Sequence, residues 1–293
     1  MSATLKAPGR VRPGRSAPGS APGQRRSTTA HVTVAVLLLF ALFPVMWMAL
    51  TAFTSNEDIF QFPPSLQRSF TLDHFAEVLT SATLMQFMVN GLIVATTTTI
   101  ISLFLGFTAG YSFSKFRYYG RTPLMYLILV AQMVPEVLLL LSLYASFNAL
   151  GLLNTYGALI LSYSTFTLPL AVWMMKNSFD AIPNDLIEAG RIDGASEFRI
   201  MITVLLPVCR TSLIAVGLFA FIRAWNDLAY ALTLVDTPLQ TLPAGLSLTF
   251  LGEFQNSYGQ MMAASLVTSL PVVAVFLILQ KHFVSGALAG SVK

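Results

Sequence analysis

Glu188-Ala-Gly-Arg-Ile-Asp-Gly-Ala-Ser196, with Leu206-Pro207 a short way downstream, decides how the rest of this chain is read. It is the only long polar passage in the second half of an otherwise apolar sequence. Pro183-Asn184-Asp185 just ahead of it predicts a helix start, with proline in the first turn and a short polar side chain as cap. Gly194 predicts a left-handed helix stop, since glycine takes positive φ without steric cost. Ser196 predicts a second cap, and Glu197 suits the positive end of the helix that follows. Phe198, Met201 and Ile202 recur at helical spacing and are expected to form its apolar face. The stretch therefore reads as two short helices meeting at a glycine, an elbow set between long apolar segments.

Composition says what surrounds the elbow. Of 293 residues, 55% are hydrophobic and 10% charged, with a mean hydropathy of +0.70. Soluble domains carry roughly 25% charged residues, so this chain has too few to coat a globule and a bilayer is its natural solvent. The net charge of +4 does not point to nucleic acid. Lys6, Arg10, Arg12, Arg15, Arg25 and Arg26 crowd the first thirty residues, and the other bases gather at the ends of apolar segments, which is the pattern that orients a membrane protein. Cys209 is the single cysteine, which excludes an intrachain disulfide and a thiolate metal cluster. His31, His74 and His282 are far apart, so no metal site is expected. No Gly-x-x-x-x-Gly-Lys-[Ser/Thr] occurs, so the chain has no P-loop with which to hydrolyse nucleotide.

Taken in order, residues 1–30 are rich in Pro, Gly, Ser and Arg and read as a disordered basic tail. Residues 31–293 read as one membrane domain, with a core over 86–283 and the elbow loop over 180–207. The run from about Val32 to Phe53 is too long for a signal-peptide core and reads as a signal-anchor helix kinked at Pro44. Thr54 to about Met85, with Phe62-Pro-Pro-Ser65, reads as an external loop. Further spans are expected at about Gln86–Phe113, Pro123–Phe147, Thr155–Met175, Leu206–Leu228 and Met262–Leu279. Another external loop, holding Asp236 and Glu253, falls between the last two. Gly106 and Gly110 form a small-xxx-small pair expected to pack against another helix. The expected fold is therefore all-α and polytopic, with six transmembrane helices and a cytoplasmic helix-turn-helix. Six spans put both termini on one side, and the basic residues then lie almost wholly inside, with Arg68 the exception.

Topology places the elbow in the cytoplasm. A loop resting on anionic headgroups would favour Lys and Arg. Here Asp180, Asp185, Glu188, Asp193 and Glu197 outnumber Lys176, Arg191 and Arg199, which suggests a protein partner instead. Inside the spans, ionisable groups are functional candidates. Gln132 and Glu136 are expected one turn apart on one face, well inside the third span, as a polar solute path or an interhelix lock. Arg223 and Asp227 are expected to form an i,i+4 structural ion pair. Trp225 and Asn226 suit contact with a sugar, Asn90 is a further path candidate, and Arg210 is expected to snorkel to the interface. Thr96 to Thr99 are expected to bond their own helix carbonyls.

The elbow's spacing resembles a signature of the membrane permeases of binding-protein-dependent ABC importers: Glu-Ala-Ala, three residues, Gly, nine residues, Ile-x-Leu-Pro. Glu188, Ala189, Gly194, Leu206 and Pro207 match it, while Gly190 stands for the second alanine and Val204 for the isoleucine. Gly190 is expected to loosen the first short helix by about 1 kcal/mol relative to alanine. Gly110-Tyr-Ser-Phe-Ser-Lys-Phe-Arg117, Asp193-Gly-Ala195, Trp225-Asn-Asp227, Met262-Ala-Ala-Ser265 with Leu270-Pro271, and the closing Phe283–Lys293 are similar to the carbohydrate-uptake, maltose-type branch. The resemblance implies the type I permease fold of ABC importers. It implies as partners a second permease subunit, two ATP-binding subunits, an external solute-binding protein and a sugar, with membrane lipid around them and no nucleic acid. ATP and Mg would be used by the partner ATPase, with no cofactor held by this chain and no catalytic residue in it. Glu188, Ala189, Gly190, Asp193, Gly194, Ala195, Leu206 and Pro207 would couple it to the ATPase. The rivals are a permease of the same type for a non-sugar solute, an ion-gradient-driven secondary transporter, a membrane-embedded enzyme and a scaffold. A secondary transporter would carry repeated halves and paired acids at mid-depth; an enzyme would carry a clustered nucleophile and base.

Overall fold

The computed structural model describes residues 28–59, 61, 69–251 and 257–290, with side chains over 30–280. The basic tail, Phe62-Pro-Pro-Ser65, Arg68, Glu253 and Lys293 lie outside the described residues. Two compact units, Met1–Trp47 and Met48–Lys293, divide the chain. The first holds most of helix α1 (Thr28–Ala52), whose apolar side chains are largely exposed as those of a lipid-facing helix would be. Phe43 and Trp47 pair on it with ring centroids 6.2 Å apart.

In the second unit the elements are α2 (Asn56–Ile59), α3 (Asp73–Thr80), α4 (Ala82–Lys115), α5 (Arg121–Ala131), α6 (Glu136–Leu150) and α7 (Tyr156–Asp180). The elbow follows as α8 (Asn184–Ile192) and α9 (Glu197–Ile200), with a π turn over Met201–Leu205 and α10 (Leu206–Val208). Then come α11 (Arg210–Trp225), α12 (Ala229–Leu234), α13 (Leu242–Phe250) and α14 (Tyr258–Gly290). Four helices are each long and apolar enough to cross a membrane, and the number reaches six when each of two bent pairs is counted as one span. Among the described residues the only β pairing is a bridge between Thr54 and Phe70.

Small residues let the central helices approach. A Cβ on Gly106 would sit 2.9 Å from Ala171 Cβ, and one on Gly110 would sit 2.7 Å from Met175 Cβ. One turn earlier on both helices, the Ser102 and Thr167 hydroxyls hydrogen-bond at 2.7 Å. The pairs 102–167, 106–171 and 110–175 advance together, so α4 and α7 run parallel. Gly217 lies against Leu103 and Trp225 against Gly91, so α11 runs antiparallel to both. Asn226 and Ser265 line one cavity and Leu213 and Leu279 another, which makes α14 antiparallel to α11. Parallel α4 and α7 require the chain between them to recross the same thickness, and α5 with α6 does so.

That return is not the continuous helix expected from Pro123 to Phe147. α5 and α6 meet at 97° across residues 132–135. Pro135 has no N–H to give α5 and disfavours helical geometry in the residue before it, so the chain leaves the helix and restarts at Glu136. Gln132 and Glu136 therefore do not share a helical face. The fifth span is bent as well: Glu197–Val208 and Arg210–Trp225 meet at 82°, so Pro207 lies on the elbow side of the bend and α11 on the other. Proline at 207 cannot bond the carbonyl one turn back, and the helix widens into the π turn just ahead of it.

The expected loops are also more ordered than their polarity implied. Thr71 N–H donates to Phe53 C=O at 2.9 Å and Ser55 N–H to Ser69 C=O at 3.1 Å, while α3 packs on α14. Buried His74 bonds the Ala52 carbonyl at 3.0 Å and fills the space beside Gly259, so this histidine is structural. The segment after α11 holds α12 and α13, and Asp236 there accepts from Asn154 Nδ2 at 2.8 Å. Of the four threonines, Thr99 bonds the Ala95 carbonyl at 2.7 Å. Thr98 departs from expectation: its hydroxyl is buried with no hydrogen-bond partner among the described residues.

Candidate functional sites: the clamped elbow and a charged break in the bundle

The elbow is held from below by the stretch 110–115. Tyr111 OH donates to Glu197 Oε2 at 2.6 Å, Ser114 Oγ to Asp180 Oδ1 at 2.6 Å, and Lys115 Nζ to the Ile182 carbonyl at 2.7 Å and Asn184 Oδ1 at 2.9 Å. One helix end thus grips the start of α8 and the start of α9. Asn184 does not cap α8 as the sequence suggested: Pro183 holds the N-cap position, and the Asn184 side-chain oxygen accepts from Lys115. Arg191 Nε donates to Glu197 Oε1 at 2.6 Å and joins the two short helices directly. The Arg191 bond, and after it the Tyr111 bond, holds the Glu197 carboxyl below its ordinary range. The same bond raises the Arg191 guanidinium.

Gly194 turns the corner with φ of 76°. Its N–H donates to the Arg191 carbonyl at 3.0 Å and Ala195 N–H to the Gly190 carbonyl at 3.0 Å, which is the Schellman pattern. Ser196 Oγ then accepts from Arg199 N–H at 3.4 Å as the cap of α9. Gly190 sits where α8 meets α9: a Cβ there would lie 3.0 Å from Ile200 Cγ1, a close approach to a side chain rather than to backbone.

The inward face of the elbow differs from the expected one. Ile187, Ile200 and Leu205 are buried with Phe107, Met175 and Phe179 in one apolar cluster. Phe198 is 70% exposed and Ile202 is also exposed, while the π turn after α9 lets Leu205 follow Ile200 on the inward side. Ile192, at 86% exposure, joins Phe198, Asp185, Glu188, Asp193 and Arg199 on the outside. Leu206 and Pro207 are exposed near the bend, and Arg210 is exposed at the first residue of α11. The result is a rigidly rooted knob with an outer face both acidic and apolar.

The second site sits at the α5–α6 break. Arg223 does not pair with Asp227; its guanidinium reaches Glu136 across the bundle. Asp227 lies apart, nearly buried, and accepts from Tyr163 OH at 3.0 Å and from the N–H groups of Tyr230 and Ala231 at 3.0 and 3.3 Å. Cation and carboxylate at i,i+4 were diverted because Asp227 ends up beyond α11, where the chain turns into α12 and its free N–H groups compete for the carboxylate. The Arg223 guanidinium lies 5.4 Å from the Phe166 ring centroid, and Gln132 Nε2 donates to the Phe166 carbonyl at 3.3 Å. Gln132, Glu136, Thr165, Phe166, Phe219 and Arg223 line a cavity of about 190 Å³. So Gln132 and Glu136 do share a site, through the break rather than through a helix face.

The other path candidates fall elsewhere. Trp225 is buried and stacks on Phe221 with centroids 5.6 Å apart, its edge reaching a larger cavity of about 450 Å³ beside Asn226, Ser265 and Thr268. Asn226 spends its amide N–H on the Ile222 carbonyl at 3.0 Å. Asn90 is fully buried, donating to the Pro238 and Gln240 carbonyls at 3.0 and 2.9 Å and accepting from Tyr156 and Gln86. It ties α4 to the segment after α12 and has no face toward a solute. Among the described residues no cluster of His, Cys, Asp or Glu is arranged to hold a metal. What sequence reasoning missed were the clamps, Tyr111 and Lys115, and the ring neighbours Phe166 and Tyr230. The first two lay in a stretch already singled out; the last two carry no local signal.

Residues 102–287 match the family model described as "Binding-protein-dependent transport system inner membrane component". The chain is 34% identical to the inner membrane ABC transporter permease protein YcjP of Escherichia coli K12, over 89% of this chain and 94% of that protein. It is 32% identical to the trehalose/maltose transport system permease protein MalG of Thermococcus litoralis, over 88% of this chain and 94% of that one. Among solved structures, a chain of a bacterial ABC transporter involved in import of the acidic polysaccharide alginate superposes with a TM-score of 0.75. It is 20% identical over 91% of this chain and 100% of that chain, a likeness of fold.

Proposed function

The chain belongs to the family of inner membrane components of binding-protein-dependent transport systems, and from that premise we propose that it is the permease subunit of an ATP-driven carbohydrate importer. It is a transport component rather than an enzyme. Its partners are a second permease, two ATP-binding subunits that use ATP and Mg, and an external solute-binding protein. The elbow faces the cytoplasm together with both termini and docks on one ATPase. The observation that carries this reading is the combination at the elbow: both short helices are clamped to the end of α4, while Glu188, Asp193, Ile192 and Phe198 stand outward unused by the fold. A knob built that way passes a push into α4 and α7 as a rigid body. The bend at Cys209 passes it on to α11, so nucleotide state biases a bundle with two arrangements. Carbohydrate as cargo rests on the trehalose/maltose relative and on the polar cavity at the α5–α6 break.

The test is co-purification of the chain with its ATPase and assay of uptake in vesicles. Glu188→Arg reverses charge on the docking face without touching the clamp, and Gly194→Pro removes the turn. Both are expected to lose the ATPase and uptake while the chain still inserts. Normal association and transport in both variants would overturn the proposal.

A further inference from the structure

The Glu136–Arg223 pair is costly for what it does structurally. It lies about 20 Å along α11 from Arg210 at helical rise, in a hydrocarbon core about 30 Å thick. Charges at that depth are tolerated when they face a watery path or protein, not lipid. Yet the pair is not sealed: its side chains are 51% and 34% exposed, and both border the cavity at the α5–α6 break. Among the described residues, Arg223 is the one side chain that bonds the Glu136 carboxylate, so its second oxygen and the rest of the guanidinium fork are open to the cavity. The Gln132 amide oxygen is likewise unused, since its nitrogen takes the Phe166 carbonyl.

The surroundings fix these groups in place. Tyr230 OH donates to the Glu136 backbone carbonyl at 2.7 Å, and Tyr230 also packs edge-on against Phe166 at 5.1 Å. Phe166 in turn lies under Arg223. The end of α5 with α6, α7 and α11 thus holds an amide, a carboxylate, a guanidinium and two aromatic rings around one space. A lock would need the two charges alone, and two apolar residues would serve as well or better. A polyhydroxylated ring suits this set: acceptors and donors side by side for adjacent hydroxyls, and an aromatic face for its C–H surface.

We infer that Glu136, Arg223 and Gln132, with the Phe166 and Phe219 rings, form a saccharide subsite in this chain, taking a vicinal diol of a neutral sugar in passage. The inference rests on the carbohydrate reading above. In it, Glu136 accepts from one hydroxyl and Arg223 donates to its neighbour, without proton transfer.

The test uses the whole complex in vesicles and a panel of labelled neutral mono- and disaccharides, including trehalose and maltose. Glu136→Leu with Arg223→Met keeps an apolar contact in place of the pair. Uptake of the transported sugar, normalised to assembled complex, is expected to fall about tenfold or more, as loss of charged hydrogen bonds implies. A second measurement does not depend on that variant folding. In Gln132→Cys, with Cys209 buried and quiet, the transported sugar is expected to slow thiol labelling at position 132. Uptake unchanged in the double variant, or labelling unaffected by the sugar that the wild type carries, overturns the subsite and leaves the carbohydrate reading standing. A wild-type complex that takes up none of the panel overturns both.

Discussion

Single residues set the closeness of this bundle more than its greasiness does. Gly110 has Met175 Cβ and the Lys176 backbone nitrogen at 2.7 and 2.9 Å from where a Cβ would be, and a helix backbone cannot step aside as a flexible side chain can. Gly110→Leu is expected to cost about 1–3 kcal/mol by overpacking and to lower the thermal midpoint of the purified complex. Gly157→Ala, which meets only the Thr155 hydroxyl at 3.4 Å, is the near-neutral control. Equal melting of the two variants would refute the close contact. Gly190 adds a packing term to a propensity argument: alone it weakens a helix, and beside Ile200 it leaves room that a Cβ would narrow to 3.0 Å. A helix scale cannot know what lies 3 Å away.

The elbow works as an element because its parts are joined to each other and to α4. Glu197 is the junction, accepting from Arg191 of α8 and Tyr111 of α4. Its carboxyl is held below the ordinary range, so the folded state favours the charged form. The stabilisation is therefore full above the unfolded pKa of about 4.3 and is lost as pH falls through the lower folded value. The junction is partly exposed, so the effect is screened and small. Glu197→Gln is expected to melt below wild type at neutral pH, with the gap closing as pH drops under about 4.3. A gap that stays constant with pH would show that the junction is not ionic. The broken third span is a second lesson at this scale. Pro135 was visible as a helix-breaker, but hydropathy runs across it unbroken, so the sequence suggested one span where the fold has two helices at 97°.

At the scale of the whole membrane unit, direction is the main result. The register of 102 on 167, 106 on 171 and 110 on 175 makes α4 and α7 parallel. Ser102→Cys with Thr167→Cys is expected to cross-link on mild oxidation, whereas Ser102→Cys with Met175→Cys is not, being two turns out of register. The reverse outcome would mean an antiparallel pair and a different path for the chain between them. Charge counting reached the same span parity by another route, from which side the basic residues favour.

What the sequence determined by itself was whatever depends on solvent and on short-range geometry. Too few charges for a globule dictated a membrane protein, apolar run lengths dictated spans, and Gly194 and Ser196 dictated the elbow's turn and cap, because positive φ and free N–H groups are local matters. Only the tertiary structure decided which charge meets which. Arg223 had an acid one turn away and took Glu136 instead, because Asp227 falls where backbone N–H groups of α12 claim it. It likewise decided that Asn90 is sealed among carbonyls, that Phe198 faces out while Ile200 faces in, and that Gln132 and Glu136 meet around a break. Pairings of this kind are set by competition among groups brought together from distant parts of the chain, and a linear pattern carries no record of that competition.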